Sequence, residues 1–223
     1  MMKLTNQQIN YVENYIISKD IKWYELQVEL TDHMINSMEE FWKADPELTF
    51  HQVKHYAEER FGRNGFKAIE EERTQILRKE FRRMQWKMIA DYLKFPKIFA
   101  SALALIVIYK SSFYFDKPVK FIAMLYILLL VAYIPSFYSY FRNRKIKGKR
   151  FLQIEISNPM VLGFGFVNLG LNGVSLSMEW IEQYNILKLL YCAVLILGVL
   201  SLITGKKIYE KSLSSIKKQY QLT

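Results

Sequence analysis

Apolar positions recur at helical spacing through the first 95 residues, then dominate the stretch from 98 to 204. In the first part, Ile9, Val12 and Ile16 fall on one face, and Thr5 with Gln8 forms a capping box. These predict a helix over 5–19. Trp23, Leu26, Leu30, Met34, Ser37 and Phe41 form the stripe of a second helix over 21–44, ended by Asp45-Pro46. Thr49 with Gln52 makes another capping box, so a third helix runs over 49–61. Gly62 is placed to stop it. After Asn64-Gly65 a long helix over 66–95 leads to Pro96, with a seam of Leu77, Phe81, Met84, Met88 and Leu93 or Phe95.

The second part contains four apolar segments, 97–115, 119–141, 158–178 and 185–204. A helix needs about 20 apolar residues to span the hydrocarbon core. Two pairs joined by short loops predict two helical hairpins in a membrane. The fold expected is all-α: a small cytosolic helical domain (1–65), a long basic linking helix (66–96), four transmembrane helices (97–204) and a basic cytosolic tail (205–223).

Composition and charge sharpen this picture. Half of the chain is hydrophobic (51%), yet the net charge is +10, which fits a chain whose apolar and charged residues are segregated, as they are here. Basic residues gather in three places: before the first apolar segment (Arg78, Lys79, Arg82, Arg83, Lys87), in the loop RNRKIKGKR (142–150) and in the tail (Lys206 to Lys218). If both termini are cytoplasmic, all three lie on the inner side, as the positive-inside rule requires. Arg82, Arg83, Lys87, Arg142, Arg144, Lys145 and Lys147 then read as cations facing anionic lipid. No nucleic-acid-binding motif accompanies them, so no nucleic-acid partner is expected. The sole cysteine, Cys192, lies in an apolar run and excludes a disulfide framework.

The third apolar segment, GFGFVNLGLNG (163–173), holds four glycines and two asparagines. Gly163 and Gly170 share one face and Asn168 and Asn172 another. Small residues permit close helix approach, and amides hydrogen-bond across helices. The first reading is packing within one bundle, the second self-association, and the third a polar route for a small solute.

Candidate chemistry is sparse. The stretch HQVKHYAEERFG (51–62) spaces His51 and His55 as in a zinc-protease helix, but Gln52 replaces the glutamate that would take a proton from metal-bound water. Helical phase sets Phe50, Val53, Ala57 and Phe61 on one face and the histidines opposite, so they read as a solvated pair. His33, at the edge of its helix stripe, reads as a partly buried histidine with a hydrogen-bond partner. No phosphate loop or nucleophile motif is present. Neither a cofactor nor a metal is expected, and catalysis is not.

The stretch ELTDHMINSMEEFWKADPELTFHQVKHYAEERFG (29–62) resembles the small helical domain of HAAS-type and PadR-associated bacterial membrane proteins. A similar domain precedes macrolide-export-type permeases. Glu29, Leu30, His33, Thr49, Ala57, Phe61 and Gly62 carry the resemblance, within about residues 5–65. It implies a sensing or regulatory module in the bacterial cytoplasmic membrane, working by contact with a cytosolic or membrane protein. A transport accessory or pore-forming subunit, which needs oligomers and a polar lumen, is the alternative.

The charge distribution makes a direct prediction. Externally applied thiol reagent should modify single cysteines introduced near Lys117 and Gln183, and none near Lys147 or Lys217. External labelling at Lys147 would invert the topology.

Overall fold

Thr5 and Thr49 each begin a helix by the same reciprocal pair of bonds. Their hydroxyls accept from the backbone N–H three residues on, and the Gln8 and Gln52 amides accept from the Thr backbone N–H. Two of the four orphan donors at each helix start are thereby satisfied. The computed structural model describes residues 3–62 and 65–221, apart from the side chains of 160–162. Asn64, read above as a turn residue, lies outside the described residues.

The described residues form an all-α protein. The chain divides into two compact units: Met1–Leu77 with Lys145–Leu152, and Arg78–Arg144 with Gln153–Thr223. The division falls inside a helix, and the first unit takes in a segment that lies between two apolar stretches.

The first unit contains α1 (Asn6–Ser18), α2 (Tyr24–Ala44), α3 (Phe50–Glu59) and the start of α4 (Gly65–Tyr92). Val12 and Ile16 of α1 and Val53 and Ala57 of α3 are fully buried, packed with α2. The buried row of α2 is Leu26, Leu30, Met34, Met38 and Trp42. Each four-residue step advances the row by about 40° around the helix, so it winds past the expected Ser37 and Phe41, which are only half-buried. The same drift carries the row away from His33, which is exposed. The expectation of a partly buried His33 is therefore corrected. Gly62 has φ +74°, a left-handed conformation that glycine adopts without Cβ strain, and it ends α3 as expected.

The second unit contains the rest of α4, α5 (Ile98–Ser111), α6 (Pro118–Ala132), α7 (Ile134–Asn143), most of α8 (Leu152–Ile156), α9 (Pro159–Leu176), α10 (Met178–Gln183) and α11 (Asn185–Gln219). In α4 the buried positions here are Phe81, Gln85 and Ile89. Met84 and Met88 flank them half-buried, while Leu93 and Phe95 are exposed and do not extend the seam. The seam follows Gln85 because that amide reaches α11, donating to Ser201 Oγ at 2.8 Å and to the Ser201 carbonyl at 3.3 Å.

Two helical stretches are long and apolar enough to cross a membrane, Pro118–Asn143 (26 residues) and Asn185–Gln219 (35 residues). Only 28% and 33% of their most apolar windows are buried, unlike the core helix of a soluble protein. The first bends at Tyr133, where Pro135 removes a backbone donor. The apolar stretch Ile98–Tyr114 is shorter. Its 14-residue α-helix continues only as a 3-10 turn over Ser112–Tyr114. At 1.5 Å per residue the 18 residues of α9 reach about 27 Å, just under a hydrocarbon core of about 30 Å. The last helix does not stop at Thr204 but carries its basic end to Gln219 as one element.

The core of this unit depends on α9 lying against α6 and α11. Gly170 faces the Tyr126 ring and Gly163 faces the Tyr133 hydroxyl, so a Cβ at either would collide with a tyrosine. The two tyrosines are seven residues apart on one strand of the pairing, the glycines seven apart on the other, in antiparallel order. Tyr126 Oη then donates to the Tyr191 carbonyl of α11 at 2.7 Å, which satisfies its hydroxyl inside an apolar core. The face of Gly163 and Gly170 is thus spent on internal packing.

Gly170→Ala should therefore destabilise by about 1–3 kcal/mol through overpacking. Gly165 has open space around it, so Gly165→Ala should be neutral or stabilising by up to about 1 kcal/mol. Thermal unfolding in detergent checks both, and equal effects would sink the register.

Candidate functional site: a basic turn seated on aromatic rings

Helix α2 starts without a cap of its own. Its N-cap residue is Trp23, whose side chain makes no capping bond. The first helical N–H, that of Tyr24, would be an orphan donor. It donates instead to the carbonyl of Arg150 at 2.8 Å. Arg150 lies 126 residues downstream, in the basic loop between α7 and α8, so a distant carbonyl satisfies the first orphan donor of α2.

That loop is a folded turn. The Ile146 N–H donates to the Lys149 carbonyl and the Lys149 N–H to that of Ile146, each at 3.0 Å. Lys147 and Gly148 between them have φ +49° and +80°. Positive φ at both central residues is the geometry of a two-residue type I′ hairpin, for which glycine at the second position is well suited. Ile146 and Phe151 are buried at the turn's two ends.

Its cations rest on rings of the helical domain. Lys149 Nζ lies 3.5 Å from the Tyr24 ring centroid, and the Arg150 guanidinium lies 4.9 Å from that of Trp23. Tyr24 meets Phe151 edge-on at 5.8 Å. Trp23 Nε1 donates to Glu70 Oε1, tying the same ring to α4. Cation–π contacts contribute about 0.5–1 kcal/mol when exposed and about 2 kcal/mol or more when desolvated. The seat thus combines a backbone cap, two ring-bound cations and a buried phenylalanine.

Of the positions singled out in 29–62, all but exposed His33 make structural contacts within the same unit. Leu30 and Ala57 are fully buried in its core. Thr49 caps α3, Gly62 ends it, and Phe61 packs on Phe66 with ring centroids 4.6 Å apart. Glu29 lies 3.5 Å from Arg73 of α4. His51 and His55 are both exposed, with His55 Nε2 3.4 Å from Glu59 Oε1. Among the described residues no group of three or more His, Cys, Asp or Glu is arranged to hold a metal ion.

The other predicted positions are scattered. Arg82, Arg83 and Lys87 are exposed on the second half of α4. Arg142 lies over Tyr138 at 6.0 Å, and Arg144 is half-buried. Lys145 and Lys147 are exposed around the turn. Asn168 and Asn172 are exposed on α9, and the Asn172 amide donates to Asn168 Oδ1 at 2.8 Å. Sequence reasoning missed Trp23, Tyr24, Lys149, Arg150 and Phe151 as a set. Lys147-Gly148 between Ile146 and Lys149 was the available turn signal. It also missed Lys188, a buried lysine that donates to Asn185 Oδ1 at 3.1 Å and lies 5.4 Å from the Phe113 ring.

A polar cluster on the domain joins Tyr15, Lys19 and Glu58. Lys19 Nζ is 2.9 Å from Glu58 Oε1, and Lys54 Nζ lies 3.8 Å from the Tyr15 ring centroid. Burial pushes the Glu58 carboxyl up. Hydrogen bonds from Tyr15 and Lys19 and the charges of Lys19 and Lys54 outweigh it, so the carboxyl sits below its usual range. Burial, and then Glu58, push the Tyr15 phenol up. Hydrogen bonds to Tyr15 and Glu58 raise the Lys19 ammonium. Comparison with protein-family models, curated proteins and solved structures finds no match to this chain.

A carboxyl lowered by folding contributes stability that is full above its unfolded value and is lost as pH falls through the folded one. The stability gap between wild type and Glu58→Gln, measured by denaturant unfolding, should therefore narrow below the ordinary glutamate range near about pH 4.3. A gap constant from pH 7 to 3 would show that Glu58 gains nothing from its partners.

Proposed function

We propose that this chain is a multi-pass protein of the bacterial cytoplasmic membrane whose N-terminal helical domain regulates by protein contact, without catalysis. The seat of the basic turn on α2 carries the reading. The turn is the connection between α7 and α8, within the apolar part of the chain. Any movement of the spans that flank it pulls on the carbonyl that caps α2. The domain would thereby report the state of the membrane region as a change in its own first helical turn.

Three further observations support this. The helical domain and the 145–152 segment belong to one unit, so they share a side of any membrane, as the positive-inside rule asks. Exposed apolar residues such as Leu103, Ile127, Val131 and Leu190 lie on several helices of the second unit, where lipid would cover them. The resemblance of 29–62 to HAAS-type and PadR-associated domains points to a regulatory module and a cytosolic partner. In this reading α6–α7 and α11, long and apolar enough to cross, are joined by the shorter α5 and α9 as four spans, with both termini inside.

The exposed Asn168–Asn172 pair favours a second reading, in which copies associate through α9 and these amides line a polar path for a small solute.

Neutralising the turn with Lys149→Gln and Arg150→Gln tests the first reading. Amide exchange over the first turn of α2 should quicken about tenfold or more, corresponding to about 1.4 kcal/mol or more of lost seating. Exchange in α3 should stay unchanged. A photo-crosslinker at exposed His55 should capture a cytosolic protein in wild-type cells, and the yield should change in the double variant. Unchanged exchange and yield would reduce the turn to a tether, and solute flux into liposomes that survives deletion of 3–62 would favour the pore.

A further inference from the structure

The second half of α4 turns one row toward a cleft of about 540 Å³, whose other walls are Ile156 of α8 and Phe166 of α9. Along α4 the lining changes character in order: Arg78 and Arg82, then Gln85 and Trp86, then Ile89. The two arginines are exposed and Ile89 is buried. Trp86 is half-exposed and meets the Phe166 ring edge-on at 6.1 Å. From Arg78 to Ile89 the row is about 16 Å long at the helical rise. No carboxylate is among the described residues that line it. Gln85, in the lining, donates its amide to Ser201 of α11.

A cationic mouth, an aromatic neck and an apolar floor in that order match a molecule with an anionic head and a hydrocarbon tail. Arginines one helical turn apart present two planar forks to one phosphate group, and each fork suits paired oxygens. Trp86 and Phe166, set edge to face, offer an aromatic corner for glycerol and the first methylenes, and Ile89 and Ile156 continue it. The volume falls within the usual range for small-molecule clefts. A zwitterionic lipid brings a choline cation toward the same two guanidiniums and is disfavoured by like charge.

We propose that this cleft is a binding site for one anionic phospholipid, held through its phosphate by Arg78 and Arg82 and through an acyl chain along Trp86, Ile89 and Phe166. This rests on the membrane reading above and makes it specific. The basic residues of α4 then do not act as an interchangeable skirt: Arg78 and Arg82 hold a ligand, while Arg83 and Lys87, outside the cleft lining, do not. A bound lipid would join α4, α8 and α9 at one place, so the lipid composition of the membrane would set how firmly α4 is held.

The full chain should be placed in nanodiscs of equal phosphatidylglycerol and phosphatidylcholine. Incorporation is read first, and failure there counts against the membrane reading alone. Native mass spectrometry of the released protein should show one retained phosphatidylglycerol, at least about tenfold over phosphatidylcholine. Arg78→Gln with Arg82→Gln should abolish that excess. Arg142→Gln with Lys145→Gln, an equal change in charge away from the cleft, should keep it. Inorganic phosphate at millimolar concentration should not displace the lipid. Equal retention of the two lipids, equal loss in both double variants, or displacement by phosphate would each overturn the proposal. The last would leave a site for a free anion.

Discussion

Two tyrosines set into two glycine hollows hold the second unit in register. Tyr126 of α6 with Tyr133 at its end, and Gly170 with Gly163 of α9, are spaced alike and run in opposite directions. Neither ring fits if the pairing slips by one residue, because the next positions along α9 carry side chains. The same fit brings the Tyr126 hydroxyl to a carbonyl of α11, so three helices are fixed by one aromatic ring and its oxygen. Gly198, facing Leu129, repeats the device on the other side. Close approach of backbones through small residues needs no hydrophobic driving force, which suits a bundle whose outer faces are themselves apolar.

The first unit is held by a different economy. Its core is small, and a domain of this size buries little surface relative to its chain. Buried Ile146, Phe151 and Leu152 come from far along the sequence to enlarge it. The polar half of that borrowed segment supplies the α2 cap. A serine or aspartate at position 23 would accept from the N–H of Glu25 or Leu26 and would still leave that of Tyr24 to the Arg150 carbonyl. The first N–H of α2 thus depends on a carbonyl 126 residues downstream.

Much of the local structure was legible because it depends on neighbours in the chain. The Thr5–Gln8 and Thr49–Gln52 boxes, the Gly62 stop and the buried faces of α1 and α3 are all matters of three- and four-residue spacing. The glycine face of α9 was legible as a face, though not its tyrosine partners, since those come from another helix. His33 was misjudged because a straight stripe was assumed where the buried row winds around α2. The seat on Trp23 and Tyr24 was illegible for a plainer reason: charge counting treats 142–150 as nine solvated residues. It has no means of seeing a type I′ turn fold Lys149 and Arg150 back onto rings more than a hundred residues away.

One consequence follows from the unbroken course of α11. Its 35 residues make a single rod of about 52 Å, and about 22 Å of that lies beyond Thr204. Gly205 rests against Pro159, where a Cβ would lie 3.3 Å from the proline backbone. That contact is a natural fulcrum. A tilt of about 10° there displaces the far end by about 4 Å, given the helical rise. Lys211, Lys217 and Lys218 would sweep together as charges fixed to a lever arm. A tail of the same composition but without helical order would absorb the tilt within a few residues and leave those charges where they were.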